Sequence, residues 1–263
     1  LKYCKEKEAE PASFSYITVM KKFLIISNLI LLSIVMVLTV KGSFVQRGAD
    51  LFNRLTGAKD TYSYDMNPYY YPKKEQFDMM NGQFDIVMLG NSITEQVSWN
   101  ELLGRNDIAN RGISGDITEG MLLRMDSVLK LRPALCFFMG GVNDITRRVS
   151  YENTFSNITE IVNILTSEGI EAIVQSVLYT GDGFFSSDHN NPIITRLNHD
   201  LKKLCAEKDI TFLDLNAHLS QNGKLRPEFT HDGLHLNAEG YAVWSKVLKD
   251  FLSNYANHNS ETD

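Results

Sequence analysis

Apolar positions along the chain fall into two kinds of run, and their alternation from residue 84 onward predicts an architecture. Short runs that stay apolar at successive positions predict strands covered on both faces: "FDIVMLG" (84–90), "DIANRG" (107–112), "ALCFFMGG" (134–141), "IEAIVQSVLY" (170–179) and "ITFLDLN" (210–216). Longer stretches with apolar residues three and four apart predict helices. One spans 117–131, with Met121, Leu122, Met125, Val128 and Leu129 on one side; others span 154–169, running into Gly169, then 193–209 and 238–255. Strands buried on both faces and separated by helices need right-handed crossovers, so the expectation is an α/β fold. It is a three-layer α/β/α sandwich on a five-stranded, mainly parallel sheet. Such sheets bind ligands outside the carboxyl ends of their strands.

The N-terminal pattern is different. Residues 23–40, "FLIISNLILLSIVMVLTV", are 18 positions without a charge, between Lys21 and Lys22 on one side and Lys41 on the other. That predicts a signal peptide or membrane anchor, with a buried core helix as the alternative. No cysteine follows the run, which speaks against a lipoprotein anchor. Met20 before two lysines resembles a start, which makes 1–19 an expected upstream extension of the reading frame within an N-terminal extension, 1–22. Lys41, Arg47, Arg54 and Lys59 weaken the positive-inside argument, yet export remains the expectation, to a periplasmic or extracellular location and with membrane attachment through 23–40 if that segment is retained. Residues 41–76 are tyrosine-rich, broken by Pro68 and Pro72 and without clean periodicity; they read as a tether whose tyrosines pack or bind sugar. Residues 77–256 form the main domain and 257–263 a polar tail.

Composition narrows the classes. With 263 residues, 43% of them hydrophobic and 22% charged, the chain can bury one substantial core. A net charge of −6 with no Lys/Arg block argues against a general nucleic-acid binder, because neutralising phosphates needs a basic face. Cys4, Cys136 and Cys205 are too few and scattered for a disulfide framework or a Cys-ligated zinc, and Cys136 and Cys205 read as small core residues. The six histidines hold no HExxH pair, so neither metal nor cofactor is expected.

Reactive side chains collect where the strands end. Strand one runs into Gly90-Asn91-Ser92, strand two into "NRGISGD" (110–116), strand three into "GGVND" (140–144), and "HDGLHLN" (231–237) follows strand five. Each segment alone has a bland reading. Gly, Asn and Ser form turns, Asp116 can cap a helix, and Asn237 can cap the last helix with His235 a structural histidine. Together they supply a hydroxyl nucleophile (Ser92), a base (His235), an acid to orient it (Asp232) and oxyanion donors. The donors are the Ser92 and Gly115 N–H groups and the Asn143 amide.

These four segments resemble the motif blocks of the SGNH hydrolases, also called the GDSL esterase/lipase family: "GNSIT", "NRGISGD", "GGVND" and "DGLHLN" in order, across roughly 84–255. Asn91 stands where the family usually has Asp. The resemblance implies an SGNH, flavodoxin-like hydrolase fold with Ser92, Asp232 and His235 as triad, and Ser92, Gly115 and Asn143 as oxyanion donors. Asn91, Asn110 and Asp144 are expected to support these residues, and Phe184 and Phe185 to line a pocket. His189 and His231 are expected to be solvated. The expected reaction is attack of Ser92 on a carboxylic ester, then hydrolysis of the acyl-enzyme, with activity falling at acid pH. Removal of small acyl groups such as acetyl from carbohydrate is the leading substrate expectation. A lysophospholipase or thioesterase, an acyltransferase and a non-catalytic glycan-binding protein are the alternatives.

Overall fold

The computed structural model describes residue 21, residues 24–28 and residues 62–260. The chain divides into two units, Leu1–Lys59 and Asp60–Asp263. In the first, residues 24–28 are helical, and the rest of the expected signal or anchor segment lies outside the described residues. No helix among the described residues is long and apolar enough to cross a membrane.

In the second unit five strands form one parallel sheet in the order β2-β1-β3-β4-β5: β1 (Ile86–Gly90), β2 (Ile108–Gly112), β3 (Leu135–Met139), β4 (Glu171–Gln175) and β5 (Thr211–Leu213). The order reverses between β1 and β3, the position at which sheets of this kind bind ligands, and there "GNSIT" and "GGVND" leave the sheet. All five positions of β1 and of β3 are buried, because helices cover both faces of the sheet.

Ten helices complete this unit among the described residues. They are α1 (Tyr70–Met79), α2 (Ser92–Glu95), α3 (Trp99–Leu103), α4 (Thr118–Leu123), α5 (Asp126–Leu129), α6 (Val142–Thr146), α7 (Tyr151–Ser167), α8 (Ser187–Glu207), α9 (Asn216–Leu219) and α10 (Ala238–Ser260). Phe137 of β3 meets Phe251 of α10 edge-on, with ring centroids 5.6 Å apart. On the other face, where alternation points Phe138, lie α4, α7 and α8, which pack on one another and bury Met121, Ile158, Val162 and Leu197. A two-stranded hairpin, β6 (Ser220–Gln221) with β7 (Lys224–Leu225), precedes the His-bearing loop.

The structure corrects several expected boundaries. The tether is not irregular throughout: Tyr64–Met66 form a 3-10 turn and Tyr70–Met79 a helix. Tyr70 and Phe77, seven residues apart on α1, bury their rings against Ile113, and the Arg111 guanidinium lies 4.7 Å over the Phe77 ring. Pro72 sits in the first turn of α1, where a missing N–H costs nothing, so its reading as a breaker fails. The helix expected over 117–131 splits at Arg124, where the bonds tighten to three-residue spacing (Met125 to Leu122, Ser127 to Arg124) and the arginine turns inward. Helix α8 begins at Ser187 rather than 193. Its first turns, which include Pro192, are tied to the preceding loop by Asn191, whose amide bonds both the N–H and the C=O of Thr180 (2.9 and 2.8 Å).

Candidate active site

The Ser92 turn is made by two neighbours. A Cβ at Gly90 would stand 2.1 Å from Thr94 Oγ1 and 2.8 Å from the Met139 carbonyl oxygen, so only glycine lets the chain leave β1 and double back into α2 at once. Asn91 is extended, and its Oδ1 accepts the Ile93 N–H at 3.0 Å, capping α2 so that Ser92 is its first residue. The amide oxygen does what an aspartate oxygen would do here, so the departure from Gly-Asp-Ser leaves the turn intact. Distant groups then clamp α2. The Tyr241 hydroxyl donates to the Ile93 carbonyl (2.7 Å), Trp99 Nε1 to that of Thr94 (2.9 Å), and Asn110 Nδ2 to those of Thr94, Glu95 and Val97 (3.0–3.2 Å). Asn110 Oδ1 also accepts the Gly112 N–H at 2.8 Å, tying the end of β2.

The loop before α10 brings the imidazole to this serine. His235 Nε2 lies 3.0 Å from Ser92 Oγ, and His235 Nδ1 lies 2.7 Å from Asp232 Oδ2. The other carboxylate oxygen, Asp232 Oδ1, accepts the Leu234 and His235 N–H groups at 2.9 and 2.8 Å, which curls the loop back on itself. Asn237 caps α10 by accepting the Gly240 N–H at 3.0 Å. Partial burial pushes Asp232 up, but the bonds from the His235 ring and the two N–H groups outweigh it and hold the carboxyl at about 2. An ionised Asp232 on Nδ1 fixes the proton there and leaves Nε2 as an acceptor facing Ser92.

On the donor side, Gly115 has φ +73, the left-handed region that favours glycine. Asn143 Nδ2 donates one hydrogen to the Asp116 carbonyl at 2.8 Å, tying the third block to the residue after Gly115 and leaving its second hydrogen for another acceptor. Among the described residues the Ser92 and Gly115 N–H groups donate to no other backbone group.

Behind them lies a buried charged layer. Asp116 and Arg124 are fully buried and paired at 2.9 Å, and Arg124 Nη2 also reaches the Gly90 carbonyl at 3.0 Å. Burial raises the Asp116 carboxyl to about 6, with Arg124 opposing. Asp144 accepts the Thr118 N–H at 3.1 Å and its hydroxyl at 2.5 Å; complete burial raises it to about 7, against the Thr118 bonds. Asp144 therefore holds the start of α4 through Thr118.

Several residues of this region were not singled out from the sequence. Glu95 accepts the Ser114 N–H at 2.6 Å and pairs with Lys73 of α1 at 2.8 Å; Asn67 Nδ2 donates to the Ser114 carbonyl at 2.9 Å. The tether segment thus braces the Gly115 loop, and only the buried-pattern spacing of Tyr70 and Phe77 hinted at it. Phe184 and Phe185, expected to line a pocket, lie on a loop packed against Gly233, next to Asp232. Gly181 N donates to the Gly233 carbonyl at 2.7 Å, and Phe185 is 68% exposed. His189, in the first turn of α8, and His231 are both exposed. Cys136 and Cys205 are buried free thiols, raised by burial to about 12 and 11, and Cys4 lies outside the described residues. Among the described residues no group of three or more His, Cys, Asp and Glu side chains is placed to hold a metal ion.

Comparison with known proteins places this geometry. The model of the GDSL-like Lipase/Acylhydrolase family matches residues 88–243. A GDSL-like lipase from Bacteroides thetaiotaomicron superposes with a TM-score of 0.62 at 25% identity, covering 71% of this chain and 98% of that one. An acetyl xylan esterase shares the fold with a TM-score of 0.54 at 20% identity, covering 62% and 96%. An N-acylneuraminate cytidylyltransferase of Streptococcus agalactiae is 29% identical over 161 residues, 61% of this chain; the match spans only 37% of that relative's length.

Proposed function

The chain belongs to the GDSL-like lipase/acylhydrolase family and is an ester-bond hydrolase, and from that premise we propose that Ser92 is its nucleophile and that it removes small acyl groups, acetyl foremost, from carbohydrate. The observation that carries the reading is the 3.0 Å contact between Ser92 Oγ and His235 Nε2, made by residues 143 apart in the chain. His235 takes the hydroxyl proton as Ser92 Oγ bonds to the ester carbonyl carbon. Asp232, ionised, stabilises the imidazolium. The carbonyl oxygen becomes an oxyanion held by the Ser92 and Gly115 N–H groups and the Asn143 amide. The proton then passes from His235 to the leaving alcohol as the carbon–oxygen bond breaks. A water, deprotonated by the same imidazole, clears the acyl-enzyme and regenerates Ser92. The relay needs an imidazole able to accept the Ser92 proton, so activity is expected to fall on acidification.

The substrate class is supported by the names of two similar proteins, an acetyl xylan esterase and a protein acting on N-acylneuraminate, and by the solvent-facing Phe185, which gives no deep channel wall for a long acyl chain. An exported enzyme, attached through residues 23–40 if that segment is kept, suits work on surface glycans. Hydrolysis of p-nitrophenyl acetate by the wild type beside Ser92→Ala tests the nucleophile. Turnover abolished in a folded variant supports it, and equal rates sink it. A series of nitrophenyl esters tests the acyl size: a sharp drop beyond two carbons supports the deacylase of sugars, whereas a preference for eight or more moves the lysophospholipase or thioesterase reading ahead.

A further inference from the structure

One charged side chain at the donor loop has no role in the relay. Arg147 follows Asn143 by four residues at the end of α6, its N–H bonded to the Asn143 carbonyl at 2.9 Å, so the two side chains leave the helix on the same face. Its Nη2 would lie 3.2 Å from a Cβ built on Gly115, which puts the guanidinium directly beside the proposed oxyanion loop. Its Cζ stands 4.0 Å over the Tyr62 ring. Beyond that ring contact, Arg147 makes no side-chain hydrogen bond or ion pair with any described residue.

The surrounding acids are already occupied. Asp116 is held by Arg124, Glu95 by Lys73 and the Ser114 N–H, Asp144 by Thr118, and Glu119 by the Tyr64 N–H. The contrast with Arg124, fully buried and paired, is direct: one arginine completes the fold and the other is left with its donors open. A second, independent observation points the same way. The Tyr62 hydroxyl is buried and has no hydrogen-bond partner, an arrangement that costs stability unless something else satisfies it. The guanidinium fork matches the oxygens of a carboxylate or phosphate, and stacking on the Tyr62 ring holds the fork in place.

We propose that Arg147, seated on Tyr62, binds an anionic group, carboxylate or phosphate, carried by the alcohol part of the ester, and so selects acidic substrates. The inference rests on the oxyanion-loop reading above. The position of Arg147 beside Gly115 requires the anion to sit on the same sugar or glycerol unit as the scissile ester.

The test uses the full chain and two matched pairs of acetyl esters. One pair is a mono-O-acetyl N-acetylneuraminic acid and its uncharged carboxamide; the other is the acetyl ester of glycerol 3-phosphate and acetylglycerol. The expected result is a kcat/KM preference of about 10- to 100-fold for the charged member of one pair, the worth of a charge-assisted hydrogen bond, expressed mainly in KM. The pair that shows it identifies the anion. Arg147→Gln brings that ratio close to one and Arg147→Lys keeps part of it; Tyr62→Phe lowers it by a few-fold. Each ratio is taken within one preparation, so partial unfolding cancels. A wild-type ratio near one for both pairs, or a ratio unchanged in Arg147→Gln, overturns the proposal and leaves Arg147 as a brace for the Tyr62 segment. p-Nitrophenyl acetate separates the two readings: no turnover of it by the wild type overturns the esterase reading and this inference together, while turnover without charge preference overturns this inference alone.

Discussion

Ser92 and Asn143 stand in a wall of buried polar groups, whereas Asp232 and His235 sit on a loop open to solvent. Ser92 is 7% exposed and is backed by a fully buried ion pair and the buried Asp144; the Asp232 and His235 side chains are 53% and 30% exposed. The buried half is held by groups from β1, β2, α4, α6 and α10, so its geometry and the stability of the domain are the same set of bonds. The exposed half is held by bonds within six residues, from the Leu234 and His235 N–H groups to Asp232 and from Gly233 N to Thr230 Oγ1 at 2.9 Å, and by one tie from outside, the Gly181 N–H to the Gly233 carbonyl at 2.7 Å. Electrostatic preorganisation is strongest where water is excluded, and proton traffic needs a path to solvent. The division of the site follows from those two requirements.

The comparison breaks first at His235. Replacing it with alanine is expected to lower kcat on p-nitrophenyl acetate by about 10,000-fold or more, equivalent to about 5 kcal/mol, while the thermal unfolding midpoint stays in place. A large fall in the midpoint would mean that the open loop is structural after all. Arg124→Met should do the reverse, removing about 3–5 kcal/mol of stability by stranding Asp116 in the interior, which urea unfolding measures. Asn143→Ala lies between them: about 100- to 1,000-fold in kcat, accompanied by a lower unfolding midpoint because the Asp116 carbonyl loses its 2.8 Å donor.

The smallest expected effect sharpens the comparison through pH. Asp144 binds its proton more tightly in the fold than in the unfolded chain, at about 7 against an ordinary 3.8. Its stabilisation is therefore complete below about pH 4 and is lost as pH rises to about 7. Asp232 has the opposite sign: held at about 2, it stabilises the fold above pH 4, and that contribution disappears as pH falls towards 2. Urea midpoints measured across this range should decline from pH 4 to 7 with a slope that Asp144→Asn reduces. They should also decline below pH 4 with a slope that Asp232→Asn reduces, more weakly because that carboxylate is exposed. Slopes of the same sign in the two variants would contradict the division.

The alternation of apolar runs and helical stripes was enough to determine the five strands, their parallel sense and the layers, because burial on both faces leaves the same local mark wherever a strand ends up. The four motif segments were equally legible, since each is contiguous and each follows a strand. Short helices such as α2 and α6 were not, for a single turn carries no periodicity. Nor was the Tyr62–Met79 segment, whose two buried rings are spaced for a helix but whose prolines and tyrosines read locally as a tether. Tertiary structure alone decided that Arg124 enters the core to meet Asp116 while Arg147 stays open beside Gly115. Both are arginines at the end of a short helix, and charge carries no local signal of which partner, if any, the fold will bring to it. The meeting of Ser92 with His235 was foreseeable as chemistry, but its 3.0 Å distance required Tyr241, Asn110 and Asp232 to orient two loops that the sequence keeps far apart.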